Sequence, residues 1–222
     1  MLKAFLNKRV SYTGSISLAL LFTFSAPSYA QTSLIEGVVE VKTVYAKAMR
    51  TGRRVSFERS GCGIVLDRSG LIVTNTHIIA KAPHIVVTLK DGKKYPARTV
   101  FSDAHYDFSF LKIKSPRPLS PIAWADSSKV QPGEKVVAFG HASGGRQSVG
   151  QVTKVVVNKS GATELLEIDI HLRKGDSGGP VLDGHGKLLG LVMAATKTRG
   201  RGIAIASGKI RKQYLRYKKE MK

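Results

Sequence analysis

Cysteine is almost absent from this 222-residue chain, with Cys62 standing alone. A single cysteine excludes an internal disulfide, so the fold must rest on a packed core. Its setting, Gly61-Cys62-Gly63-Ile64-Val65, reads as that of a small buried hydrophobe rather than a reactive thiol or lipid anchor. Acidic residues are also scarce, 15 Asp and Glu against 36 Lys and Arg, for a formal charge of +21. Such a charge steers a protein toward anionic surfaces and says nothing about its fold. After the first thirty residues no apolar run is long enough to cross a bilayer as a helix. Convincing helical periodicity is missing before residue 208. His84, His105, His141, His171 and His185 include no pair at metal-ligand spacing such as His-Glu-x-x-His. A metal-dependent hydrolase is set aside on that ground, and no cofactor is called for.

What is present begins with an export signal. Lys3, Lys8 and Arg9 give a positive start, an apolar stretch follows from Val10 to Phe24, and Ser28-Tyr29-Ala30 offers small residues for cleavage. Residues 1–30 are therefore expected to leave, taking the charge from +21 to +18 with the loss of those three cations. The remaining 31–222 can bury a substantial core as one domain or as two tightly packed halves.

Short runs of β-branched and aromatic residues alternate with turn signals from Val38 onward. Gly63 to Leu66, the turn Asp67-Arg68-Ser69-Gly70 and Leu71 to Thr74 read as a hairpin. His84 to Leu89, Lys94 to Phe101 and Phe108 to Ile113 continue the pattern. Pro116, Pro118 and Pro121 then interrupt it, which marks a crossing between halves. Further strands are expected at Lys135 to Phe139, Ser148 to Asn158, Glu164 to Ile170, Gly179 to Leu182, Leu188 to Ala194 and Gly202 to Ile205, with a Gly-rich turn over Gly140 to Gly145. Many short strands at regular spacing predict an all-β sandwich or barrel pair. At the end, Ile210, Tyr214, Tyr217 and Met221 fall near one face of a helix otherwise covered by Lys and Arg. The plain expectation is that this stripe docks on the β structure.

Gly175-Asp176-Ser177-Gly178-Gly179-Pro180 is the most specific stretch. A serine hydroxyl attacks a carbonyl only when a base takes its proton and donors await the oxyanion. The flanking glycines let the chain turn sharply, so that the Gly175 and Ser177 amides can converge on one point. The base is expected in Ile72-Val73-Thr74-Asn75-Thr76-His77, where a strand ends in a histidine. Asp107 heads the apolar strand Phe108 to Ile113, and a partly buried carboxylate there needs a partner such as an imidazole N–H.

With His77, Asp107 and Ser177 in that order, the chain resembles trypsin-like serine proteases of the chymotrypsin fold, and within them the bacterial Deg/HtrA branch. The resemblance runs from about Val38 to about Ile205 and is carried by Gly61 to Leu66 with Val73 to His77, by Asp107 to Ile113, and by Gly175 to Pro180 with Leu189-Gly190-Leu191-Val192. It implies two six-stranded antiparallel β-barrels (about 33–115 and 122–207), a basic C-terminal helix (about 208–222) and a cleft between the barrels. His77 would act as general base, Asp107 would orient it, Ser177 would be the nucleophile, and the Gly175 and Ser177 amides would form the oxyanion hole. The chain is expected to be an exported, periplasmic or secreted bacterial endopeptidase cutting protein or peptide substrates. Deg/HtrA enzymes usually add a PDZ domain, for which 222 residues leave no room, and Asp176 replaces the Asn commoner in that branch.

By the same resemblance, His171 lies six residues before the serine, at the base of the primary pocket, where Asp would select Lys or Arg. Met193, Ala194 and Ala195 would form an apolar wall suited to aliphatic side chains; the alternatives for His171 are a surface residue or, when protonated, a group that favours an acidic side chain. The competing reading is a catalytically latent protease fold that holds anionic envelope polymers or lipids through Arg50, Arg53, Arg54, Arg199, Arg201 and the C-terminal helix. No nucleic-acid motif appears, and export argues against that partner.

Overall fold

A computed structural model of the chain describes residues 36–48, 54–140, 147–195 and 200–221. The expected signal, Arg50, Arg53, Arg199 and most of the Gly140 to Gly145 turn lie outside the described residues. Twelve strands form two closed antiparallel barrels. The first is ordered β1-β2-β3-β6-β5-β4, from β1 (Val38–Ala48), β2 (Arg54–Val65), β3 (Leu71–Thr74), β4 (His84–Thr88), β5 (Lys94–Asp103) and β6 (Phe108–Ile113). The second is ordered β10-β11-β12-β9-β8-β7, from β7 (Lys135–Phe139), β8 (Gln147–Val157), β9 (Thr163–Ile168), β10 (Pro180–Leu182), β11 (Leu188–Ala195) and β12 (Gly202–Ala206). Two helices are described, the single turn α1 (Thr76–Ile79) and α2 (Ser207–Glu220). Neither is long and apolar enough to span a membrane.

The period of two along a strand explains why β6 can be apolar on both faces. Leu111 and Ile113 point into the core of the first barrel, whereas Phe108 and Phe110 join a layer shared with Phe139, Leu182, Leu188 and Leu191 of the second. Both phenylalanines are buried, and burying such a ring contributes about 1.5–3 kcal/mol. Between them Ser109, fully buried, pairs its hydroxyl with those of Thr76 (2.8 Å) and Ser102 (2.7 Å).

The proline-containing crossing is tied to both barrels. The Leu119 amide donates to the Arg68 carbonyl (3.0 Å) and the Ile122 amide to Val65 (3.3 Å). Further on, Ala125 donates to Leu188 (2.9 Å) and Leu188 back to Ala123 (2.7 Å).

Helix α2 straddles the junction. Ile210 is fully buried, Tyr214 stacks near Trp124 with ring centroids 5.8 Å apart, and Tyr217 meets Phe110 edge-on at 6.1 Å. Lys218 bonds Asp67 of the first barrel (3.1 Å), and Lys209 bonds Glu164 of the second (2.6 Å). No side chain within the helix caps its N-terminus, but the Ser127 hydroxyl accepts from the Gly208 amide at 2.9 Å. The expected stripe stops short: Met221 follows the last helical residue and is 64% exposed. Once the helix ends, its 3.6-residue period no longer dictates where a side chain points.

Candidate active site

Strand β3 ends at Thr74, and the single turn α1 swings His77 out of the sheet while Ile78 and Ile79 stay buried as its anchor. Asp107 comes from the β5–β6 connection, whose turn is knit by Asp103 Oδ1 accepting from the His105 and Tyr106 amides (3.0 Å each). The Asp107 backbone sits at φ +56, in the left-handed region. That conformation costs an L-residue about 1–2 kcal/mol, and Asp is among the residues that visit it. It is held there because the Asp107 carbonyl accepts from Asn75 Nδ2 (2.9 Å) and the Thr76 amide (3.2 Å). The carboxylate then faces His77: Oδ1 accepts the His77 amide at 2.9 Å, and Oδ2 lies 2.7 Å from Nδ1. An ionised carboxylate only accepts, so Nδ1 carries the proton and Nε2 presents a lone pair to the cleft.

Tyr106, the neighbour of Asp107, is anchored across the barrels. Its hydroxyl donates to Glu164 Oε1 (2.8 Å), which also takes Lys209 Nζ, and Lys209 sits 3.0 Å over the Tyr106 ring. The Lys209 ammonium and the Tyr106 hydroxyl together hold the Glu164 carboxyl down at about 2, well below its ordinary 4.5.

Ser177 lies on the loop entering β10. Its carbonyl accepts from the Cys62 amide at 2.7 Å, which stitches the loop to the first barrel, and the Gly178 amide donates to Val192 at 2.9 Å. Residues Arg173 to Asp176 form a turn closed by the Asp176 amide on the Arg173 carbonyl (3.0 Å), with Gly175 at φ +99. Positive φ at the third position alone defines a type II turn, for which glycine is needed. Among the described residues, neither the Gly175 nor the Ser177 amide is engaged in a hydrogen bond. The Asp176 carboxylate is buried behind the loop, where Oδ2 accepts the Arg173 amide at 2.8 Å. The partner left open by the sequence is thus, in part, the loop's own backbone. Cys62 is fully buried, and its thiol reaches the Gly175 carbonyl at 3.4 Å, a contact that composition could not foretell.

His77, Asp107, Ser177, Met193 and Ala194 line one cleft of about 510 Å³ together with Arg173 and Lys174. The Ser177 hydroxyl donates to the Met193 carbonyl (3.3 Å), and no hydrogen bond to the His77 ring is formed among the described residues. His171 is exposed and lines an adjoining cavity of about 320 Å³ with Asp169 and Asp176, and Arg173 lines both spaces. The side chain of Ala195 lies outside the described residues. Arg173 and Lys174 were not singled out by the sequence reading, although their place beside Gly175 was the available signal.

Residues 61–191 match the trypsin-like peptidase domain family. Among curated proteins, the periplasmic pH-dependent serine endoprotease DegQ of Escherichia coli strain K12 is 32% identical over 155 residues, covering 67% of this chain and 34% of that protein. The periplasmic serine endoprotease DegP of Salmonella typhimurium is 30% identical over 160 residues, covering 69% and 34%. The chain therefore spans about a third of the length of these relatives. Among solved structures, the HtrA-type protease AlgW with decapeptide superposes with a TM-score of 0.69 at 23% identity, over 82% of this chain and 64% of that one. At that identity the likeness speaks for the fold, which is the expected pair of six-stranded barrels with a C-terminal helix. By the match over residues 61–191, the chain belongs to the trypsin-like peptidase domain family.

Proposed function

We propose that the chain is a periplasmic serine endopeptidase, exported by removal of residues 1–30, whose residues 31–222 form one protease domain. The observation that carries this reading is the 2.7 Å contact between His77 Nδ1 and Asp107 in a cleft shared with Ser177. In this mechanism the Ser177 hydroxyl turns from the Met193 carbonyl toward His77 Nε2 as a substrate enters. It gives up its proton to the imidazole while attacking a peptide carbonyl. The Gly175 and Ser177 amides stabilise the oxyanion, and Asp107 offsets the charge on the imidazolium. Collapse of the tetrahedral intermediate releases the amine, which takes the proton from His77, and leaves an acyl-enzyme that water hydrolyses by the same steps. The periplasmic names of the DegQ and DegP relatives support the location, and the decapeptide in the AlgW structure supports peptide substrates.

The test is covalent labelling by a fluorophosphonate probe alongside casein hydrolysis. Wild-type protein should label and cleave, and Ser177→Ala should do neither. Full activity in Ser177→Ala would overturn the assignment. A second reading, a latent fold that holds anionic polymers or lipids, draws on the +18 charge left after loss of Lys3, Lys8 and Arg9 and on the serine hydroxyl resting on Met193. It predicts a folded protein that takes up no probe yet binds heparin in a salt-sensitive way.

A further inference from the structure

Arg173 and Lys174 flank the proposed oxyanion turn and line the same cleft as His77 and Ser177. Both are exposed, and neither side chain makes an ion pair or hydrogen bond among the described residues. Their backbone is fixed, because the Arg173 amide is tied to Asp176 Oδ2 (2.8 Å) and its carbonyl to the Asp176 amide (3.0 Å). Two cations on a pinned turn lose less freedom on meeting an anion than two on a loose loop would.

The surrounding acids do not cancel them. Asp107, the one acid among the described residues lining the cleft, has both oxygens on His77 (2.9 and 2.7 Å). Asp176 is buried and directs Oδ2 to the Arg173 backbone. Asp169 shares the adjoining cavity with Arg173 but makes no ion pair with it, and its Oδ1 accepts the Gln151 amide. In the same cleft Met193 and Ala194 supply an apolar wall. A side chain with a short aliphatic stem and an anionic head complements both features, whereas Lys or Arg meets like charge.

We infer that the cleft takes peptides carrying a carboxylate side chain beside the scissile bond, with Arg173 and Lys174 as specificity-determining residues. This rests on the peptidase reading above. One exposed ion pair changes affinity by a factor of up to about five, so two in a half-enclosed cleft give about tenfold. The preference must shrink with salt, since the cations remain in contact with solvent.

The experiment uses the full chain and fluorogenic peptides identical except for Glu or Gln at each position flanking the cleaved bond. At low salt kcat/KM should favour Glu by about tenfold at one or more of these positions, falling severalfold in molar salt. Lys174→Gln should lower the Glu/Gln ratio, and Arg173→Gln with Lys174→Gln should bring it to about one. Equal cleavage of the Glu and Gln peptides, or a ratio unmoved by either variant, would overturn the inference. The same peptides are also titrated onto Ser177→Ala, whose binding ratio needs no turnover. Tighter binding of Glu peptides there, with no cleavage by wild type, would fail the peptidase reading alone. Equal binding would fail the inference alone.

Discussion

At Gly178 the loop carrying Ser177 lies against the first barrel, and Gly178→Ala tests whether that contact sets the cleft. A methyl carbon on the existing backbone would stand 2.0 Å from the Cys62 carbonyl oxygen, 2.9 Å from its carbon and 3.0 Å from Thr74 Oγ1. Carbon and oxygen in ordinary contact keep about 3.3 Å or more, so the loop must withdraw by about an ångström. The carbonyl cannot swing aside freely, because it accepts Thr74 Oγ1 at 2.7 Å while the adjoining Cys62 amide holds the Ser177 carbonyl at 2.7 Å. The backbone at φ +83 adds left-handed strain. Strain of about 1–2 kcal/mol and overpacking of about 1–3 kcal/mol together give roughly 2–5 kcal/mol of destabilisation. For a chain of this size each kcal/mol lowers Tm by about 2–4 °C, so melting followed by circular dichroism should drop by about 4–20 °C. Displacing Ser177 by an ångström should also slow fluorophosphonate labelling by about a hundredfold. Gly92→Ala is the control: φ is +80 but nothing lies within 4 Å of the added carbon, so strain alone applies and labelling is untouched. A Gly178→Ala protein that melts with the Gly92→Ala control and labels at the wild-type rate would refute the argument.

Asp107→Asn should stay folded, because Asn also tolerates left-handed backbone, yet lose about 10⁴-fold in kcat as the histidine tautomer is no longer enforced. Cys62, being fully buried, should be silent to a thiol reagent in native buffer and react once in denaturant; rapid reaction in the native state would contradict its burial. Because the folded Glu164 carboxyl is held near 2 against an ordinary 4.5, its stabilising effect is fully present above 4.5 and fades as pH falls toward 2. The Tm gap between wild type and Glu164→Gln should therefore be constant near neutrality and close across that acid window. Removing residues 207–222 should uncover Phe110, Trp124 and Ile205, and the truncated protein should bind a hydrophobic dye and aggregate.

Strands bounded by turn residues were the most legible part of the fold. Phe108–Ile113 and Lys135–Phe139 have the limits read from their apolar runs, because Gly, Pro and acidic residues stop them on both sides. The turn α1 was not legible, since Thr-His-Ile-Ile has strand-forming composition while its bend goes with the burial of Ile78 and Ile79 and with bonds from the Thr76 and His77 amides to the distant Asp107. Likewise the order of His77, Asp107 and Ser177 singled out three residues that line one cleft, while the left-handed backbone at Asp107 depends on Asn75 and Thr76, some thirty positions away. Spacing from Ser177 brought His171 into consideration, but spacing carries no side-chain direction: His171 lines the adjoining cavity beside Asp169, and it is Arg173 that reaches both spaces.

The division of the cleft between two barrels has a consequence for when such a molecule can act. A chain that has formed only its first barrel holds His77 against Asp107 but has no nucleophile near them. Ser177 and its turn are fixed only when β10 and β11 pair and the Cys62 amide finds the Ser177 carbonyl. The Cys62–Ser177 bond joins distant parts of the sequence, and such contacts close late in folding. Cutting power would therefore arrive with the finished fold rather than in increments, sparing neighbouring chains while the protein matures. The same coupling works in reverse: an opening of either barrel that breaks the Cys62–Ser177 bond would silence the site before the chain is fully unfolded.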